Sequence, residues 1–214
     1  IIIPLLLAVC THDMSGRIKN IYRVIFFIPM ILAPVTVSAI WRWLFHPSNG
    51  LVNIFLLKTG LIDTNISFFS DPRFAKWIIL FMTGWSLIGF STIMFSAALT
   101  GINKDYYEAA SLDGASRFKR FFDITLPLLS PTILFMLTMS ILFSSQFTFA
   151  YIDILTAGGP FGSSTNIYYE MYKYGFANLN AGLSSAAAIL FFFVFAIIAI
   201  ALNYVSRKFA FYDN

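Results

Sequence analysis

The residues of this chain that combine charge, helix punctuation and regular spacing lie between Gly101 and Asp123. There Glu108-Ala109-Ala110 is followed by Asp113-Gly114-Ala115, two carboxylates set among very small side chains. This pattern suits non-covalent work: either a smooth helical surface that a partner can approach closely, with acceptors at fixed positions, or a long loop that simply lies in the membrane interface. Covalent chemistry has no comparable foothold. His12 and His46 are isolated, so the cluster of His, Asp or Glu that an embedded hydrolase needs is absent from the sequence. Cys10 is the single cysteine and has no metal-ligand spacing around it. No G-x-x-x-x-G-K-[ST] phosphate loop occurs, so the chain carries no ATPase site of that kind.

Two short helices must position these residues. Asn103 is suited to cap the first, and Asp105 falls in its positively polarised first turn. Gly114 can adopt the left-handed conformation that closes a helix. Ser116 can cap the second, in which Phe118, Phe121 and Phe122 share one face. Leu126-Pro127 and Pro131 are expected to end that helix and start the next.

The surroundings are apolar enough to exclude most soluble classes. Hydrophobic residues make up 58 % of the 214 and charged residues 11 %, and mean hydropathy is +0.78. A soluble domain is about 45–50 % apolar and about 25 % charged. Disorder, a disulfide scaffold and a nucleic-acid-binding domain are thereby excluded, the last also because no dense basic run occurs. Charge-free runs of 18, 27, 29 and 33 residues follow Arg23, Lys76, Asp123 and Lys173. A crossing of the hydrocarbon needs about 20 residues, so four complete spans are expected: Ile21–Phe45, Phe74–Leu99, Leu126–Tyr151 and Leu183–Ser206. The apolar Ile1–Cys10 reads as the end of a further membrane helix, which gives five crossings and an amino-terminal segment that is missing.

Cations set the orientation. Thr11–Arg23, Gly101–Asp123 and the tail beyond Val205 hold nine of the 14 lysines and arginines, and the remaining five occupy the longer opposite stretches. The positive-inside rule places the first set in the cytoplasm. Trp41, Trp43 and Trp77 fit an interfacial aromatic belt. Ala181–Ala188 is rich in small residues and is expected to pack closely on another helix.

The segment Glu108-Ala109-Ala110-x-x-Asp113-Gly114-Ala115, with Phe121, Ile124, Leu126-Pro127 and Pro131, resembles the EAA loop of bacterial binding-protein-dependent ABC importers. Phe27 and Pro29, Trp41-x-Trp43-Leu44-Phe45, Gly50-Leu51-x-Asn53, Trp85, Thr156-Ala157-Gly158-Gly159-Pro160, Thr165, Tyr168, Tyr169 and Phe176 resemble its carbohydrate branch, the permeases of glycerol-3-phosphate and maltose type. Asn103 stands where that family often has proline. The resemblance implies an all-α, polytopic membrane helical bundle of the type I ABC importer permease kind, with a cytoplasmic coupling helix. Residues 1–214 are then a single transmembrane permease domain, and 101–131 the cytoplasmic EAA coupling loop within it. It further implies a multi-pass protein of the bacterial cell membrane, embedded in the lipid bilayer, that forms part of a sugar translocation pathway. The implied partners are a second homologous permease subunit, a cytoplasmic ABC ATPase dimer, an extracellular solute-binding protein and the sugar. No cofactor belongs to this chain, since ATP and Mg are bound by the partner ATPase. Carried over, Glu108 and Asp113 make polar contacts with that ATPase, Gly114 forms the bend, and Ala109, Ala110 and Ala115 permit close approach. The alternative is an autonomous secondary transporter or channel for a small polar solute, for which the spans lack the paired ionisable residues that ion coupling uses.

Polar residues within spans need protein, water or ligand opposite them. Sugars are held by planar hydrogen-bonding groups and by stacking on rings, so Trp85, Thr92, Ser145, Gln146, Phe149 and Tyr151 are the substrate-path candidates. The same residues have a structural alternative: serine and threonine bond their own helix backbone, and Gln146 joins helices. The turn Gly158–Gly162 reads either as a re-entry between spans or, by the resemblance, as a contact surface for the binding protein.

Overall fold

A computed structural model describes residues 1–12, 14 and 17–209, and among these every regular element is helical. In order they are α1 (Ile2–His12), α2 (Arg17–Ile31), α3 (Pro34–Leu44), α4 (Leu51–Lys58), α5 (Ala75–Thr100), α6 (Lys104–Leu112), α7 (Arg117–Arg120), α8 (Leu126–Leu155), α9 (Ile167–Tyr172) and α10 (Ala181–Phe209). Wide π turns occupy Phe121–Thr125 and Lys173–Ala177.

Three helices are long and apolar enough to cross a membrane: Ala75–Thr100, Arg117–Leu155 and Ala181–Tyr204. They match three of the four expected spans. The fourth, Ile21–Phe45, is broken between α2 and α3. Pro34 occupies the first turn of α3, and its ring bars Ala33 from the helical region. Ala33 accordingly has φ −59° and ψ 133°. The prolines that were expected to end α7 do not do so. Helix runs unbroken from Arg117 to Leu155, 39 residues. Pro127 lies in the first turn of α8, and the π turn just before it, where the Leu126 amide donates to the Phe121 carbonyl, relieves the crowding a proline ring causes. The segment expected as Ile1–Cys10 forms α1, 11 residues long. The side chains of Arg17, Lys19, Arg23, Arg207 and Lys208, which entered the orientation argument, lie outside the described residues.

The chain divides into two compact units. The first comprises Ile1–Met30, Leu87–Ile141 and Val194–Asn214. Its core joins Leu5 and Ala8 of α1, Phe95 and Leu99 of α5, and Leu129 and Met136 of α8, each pair spaced to share a helix face. Here α2 comes very close to α5. A Cβ on Gly89 would stand 2.4 Å from the Phe26 carbonyl oxygen and 2.8 Å from Phe27 Cα. Only glycine permits two helix backbones to meet at that distance.

The second unit comprises Ile31–Ser86 and Leu142–Phe193. Val37, Ile79, Met82, Tyr151, Ile152, Leu155 and Tyr169 form its core. Two polar links tie α5 to α8 there, Thr83 to Thr148 at 3.0 Å and Ser86 to Tyr151 at 2.7 Å between hydroxyls. The Arg42 guanidinium donates to the Ile154 carbonyl. The loop after α3 is pinned by fully buried Asn53, whose amide donates to the carbonyls of His46 (3.2 Å) and Ile66 (3.0 Å) and accepts from the Ile66 amide (3.0 Å). Trp41 stacks on Phe45 and meets Trp85 at 6.0 Å, so it is packed within this unit, whereas Trp43 and Trp77 are exposed as a belt requires. Of the small-residue stretch Ala181–Ala188, expected to pack closely, six of eight residues are exposed; Ser184 does make a close contact, its Oγ donating to the Met171 carbonyl at 2.8 Å and lying 3.0 Å from where a Cβ on Gly175 would sit. No residue from Ala181 to Tyr204 is buried, which leaves most of α10 facing lipid or another chain.

These contacts make Gly89 intolerant of a side chain. Gly89→Ala is expected to lower stability by about 1–3 kcal/mol through overpacking. Gly84→Ala, in the same helix with nothing within 4 Å of its Cβ position, is expected to be neutral. Thermal unfolding of the two purified variants beside the parent distinguishes them.

Candidate functional site

The segment α6–Gly114–α7 is built by local rules that its sequence obeys one by one. Asn103 Oδ1 accepts from the Asp105 amide at 3.1 Å, and its own amide donates to Asp105 Oδ2 at 3.0 Å, which closes the start of α6. At the other end Gly114 has φ +73°. The Gly114 amide bonds the Ser111 carbonyl at 3.1 Å and the Ala115 amide bonds the Ala110 carbonyl at 2.9 Å, the two bonds of a Schellman closure. Ser116 Oγ then accepts from the Lys119 amide at 3.3 Å and opens α7. All four expected features, two caps, one acidic first turn and one left-handed glycine, are in place.

The resulting surface is open. Neither α6 nor α7 has a buried residue. Glu108, Ala109, Asp113 and Gly114 are exposed, and Ala110 and Ala115 are half-buried. Leu112 is 90 % exposed and Phe118 75 %, the most exposed large apolar side chains on this surface. The phenyl face is confirmed by ring contacts of 4.7 Å between Phe118 and Phe122 and 5.1 Å between Phe121 and Phe122.

One contact was not anticipated from the sequence. The Tyr107 hydroxyl lies 2.9 Å from Thr125 Oγ1, and Thr125 is only 6 % exposed at the root of α8. Tyr107 therefore ties α6 to the long helix directly, in addition to the chain connection through Gly114. The sole sequence signal is that Tyr107 and Ala110 fall on one face of α6; the partner, 18 residues on, is fixed only by the fold.

The substrate-path candidates fall into both units. In the first, Thr92 is buried and donates to the Ile88 carbonyl of its own helix at 2.8 Å. In the second, Trp85 packs beside Trp41. Phe149 meets Tyr169 at 5.9 Å and Tyr172 at 5.2 Å. Tyr151 is 1 % exposed with its hydroxyl bonded to Ser86. Ser145 is half-buried, and its carbonyl accepts from Asn166, the residue that caps α9. Gln146 is exposed and makes no hydrogen bond among the described residues. Thr92 and Tyr151 thus spend their hydroxyls within the protein, while Gln146 keeps its amide available. Near α9 the turn after α8 is held by Ser164, which donates to the Gly159 carbonyl at 2.6 Å and meets Thr156 at 2.8 Å, with Phe161 almost wholly exposed at its tip.

The family model described as "Binding-protein-dependent transport system inner membrane component" matches residues 1–210. The chain is 33 % identical over 197 residues to the sn-glycerol-3-phosphate transport system permease protein UgpA of Pectobacterium atrosepticum, covering 92 % of this chain and 66 % of that protein. It is 33 % identical over 193 residues to the UgpA of Escherichia coli, covering 90 % and 64 % respectively. The chain thus spans just under two thirds of the length of these relatives. Among solved structures, a bacterial ABC transporter involved in the import of the acidic polysaccharide alginate has a chain that superposes with a TM-score of 0.86 at 28 % identity, covering 96 % of this chain and 72 % of that one.

The Tyr107–Thr125 bond yields a direct test. Tyr107→Phe removes one half-buried hydrogen bond, with a cost of about 1 kcal/mol. Amide hydrogen exchange in α6 is expected to quicken about fivefold while that of α8 stays unchanged.

Proposed function

The chain belongs to the binding-protein-dependent transport system inner membrane component family, and from that membership we propose that it is one membrane subunit of an ATP-driven sugar importer. In this reading a second, homologous permease chain completes the pathway, a cytoplasmic ABC ATPase dimer supplies the stroke and an extracellular binding protein delivers the solute. ATP and Mg belong to the ATPase. The solute class, a carbohydrate or a sugar phosphate, is supported by the relatives named for glycerol-3-phosphate and alginate.

The observation that carries the coupling role is a contrast within α6. None of its nine residues is buried, yet it is capped at both ends and bonded to the root of α8. An isolated helix of this length is marginal in water, so the investment in caps and in the Tyr107 tether fits an element that must keep its shape while offering its exposed face to a partner. Glu108 and Asp113 provide acceptors to the ATPase. Ala109, Ala110 and Ala115 keep the surface low, and Gly114 sets the bend. The cytoplasmic placement of this segment rests on the cation count of the loops. Force applied to α6 reaches α8 by two routes, the Tyr107 hydroxyl and the continuous helix from Arg117.

Within the pathway, Gln146 is the candidate best placed to meet a solute, because a carboxamide without an internal partner is costly beside lipid and useful beside a hydroxyl-rich ligand. Trp85 and Phe149 supply rings in the same unit, with Ser145, Thr92 and Tyr151 shaping the helices that carry them.

Two experiments check the reading. In the reconstituted complex, Glu108→Lys and Gly114→Asp are expected to leave the protein in the membrane and ATP hydrolysis running, while uptake falls about tenfold or more, the scale of a lost coupling energy. Normal uptake in both variants removes the coupling assignment. Separately, Gln146→Leu is expected to raise the solute concentration for half-maximal uptake about fivefold, by loss of one or two hydrogen bonds, with ATPase stimulation at saturating solute retained. An unchanged uptake curve takes Gln146 out of the pathway.

A further inference from the structure

A groove of about 930 Å³ opens among the last turn of α1, the end of α5, α6, α7 and the π turn that follows. Its charged lining is unbalanced. Among the described residues that line it, Lys104, Arg117 and Arg120 stand against one carboxylate, Glu108. None of the three cations forms an ion pair among the described residues, and the Arg120 Nε is buried with no acceptor. A buried donor without a partner is uncommon, and cations gathered around one cleft repel each other; a bound anion answers both conditions. Guanidinium forks match phosphate oxygens in pairs, and a lysine adds a point charge.

The rest of the lining narrows the class of anion. Val9, Leu99 and Phe121 give the groove an apolar wall. Leu99 is the penultimate residue of α5, a helix of membrane-spanning length, and Phe121 lies five residues before the expected start of the next span at Leu126. The groove therefore lies where helices leave the hydrocarbon, and an ion that carries an apolar ester satisfies both walls. We propose that this groove binds the phosphate of an anionic amphiphile, the headgroup of an acidic phospholipid. The phosphate bridges Lys104 of α6 to Arg117 and Arg120 of α7, and the glycerol end lies on Leu99 and Phe121. This holds the helix–glycine–helix segment against the bilayer surface.

Cys10, the chain's single cysteine, is exposed and lines the same groove, so its reaction rate reports occupancy. The protein in its native assembly is placed in nanodiscs of phosphatidylcholine and treated with methanethiosulfonates bearing either a sulfonate or a trimethylammonium group. The sulfonate is expected to modify Cys10 about fivefold faster or more, because the empty groove is cationic. Exchanging part of the lipid for phosphatidylglycerol is expected to slow that reaction by about the same factor, again through local charge. In the variant Lys104→Gln/Arg117→Gln, which alters two exposed side chains, both effects vanish. Inorganic phosphate added to phosphatidylcholine nanodiscs separates the sources. Protection by phosphatidylglycerol alone supports the headgroup, and protection by phosphate alone overturns the lipid in favour of a soluble ion. Equal rates for the two reagents, or protection that survives in the variant, overturns the site. A Cys10 that neither reagent reaches in any lipid also overturns it, since a protein chain then fills the groove. No readout here depends on transport, so the result stands apart from that of the coupling variants.

Discussion

Hydrocarbon offers a peptide group no hydrogen-bond partner, so wherever this chain leaves the helix near lipid its own atoms must replace what water would supply. The non-helical stretches obey that constraint with unusual economy. One buried side chain, Asn53, closes the connection between α4 and the residues before α5 through three bonds to main chain. Ser164 and Thr156 do the same for the turn after α8, and Asn166 both caps α9 and reaches the Ser145 carbonyl. The two π turns, one within the Arg117–Leu155 helix and one at the end of α9, bond a carbonyl to the amide five residues on, Phe121 to Leu126 and Lys173 to Asn178.

That constraint also explains which parts of the fold were legible. Charge-free runs locate α5, α8 and α10 because an ionised side chain in mid-bilayer is costly, so charges mark the ends of spans. The same measure is blind to backbone geometry, and it read Ile21–Phe45 as one span although Ala33-Pro34 breaks it. The proline rule was available and outranked the charge pattern there. At Pro127 the opposite held: the π turn that pairs the Leu126 amide with the Phe121 carbonyl makes room for the ring, so α7 continues into α8.

The candidate site divides in the same way. Asn103, Asp105, Gly114 and Ser116 act on atoms two to four residues away, and such interactions are visible in a bare sequence. Tyr107–Thr125, Ser86–Tyr151 and Thr83–Thr148 join residues separated by 18 or 65 positions, and nothing in the residue types selects the partner. Tyr151 shows the limit well. As a letter it is a ring with a hydroxyl in a polar stretch of a span, and the fold places it in a core with that hydroxyl engaged.

The helix that starts at Arg117 has one more consequence. At 39 residues it measures about 58 Å, against a hydrocarbon thickness of about 30 Å. Roughly half of its length must protrude as an overhang into headgroups and water, at one face or shared between both. Headgroups, water or a partner chain must therefore clothe about as much of this helix as hydrocarbon does.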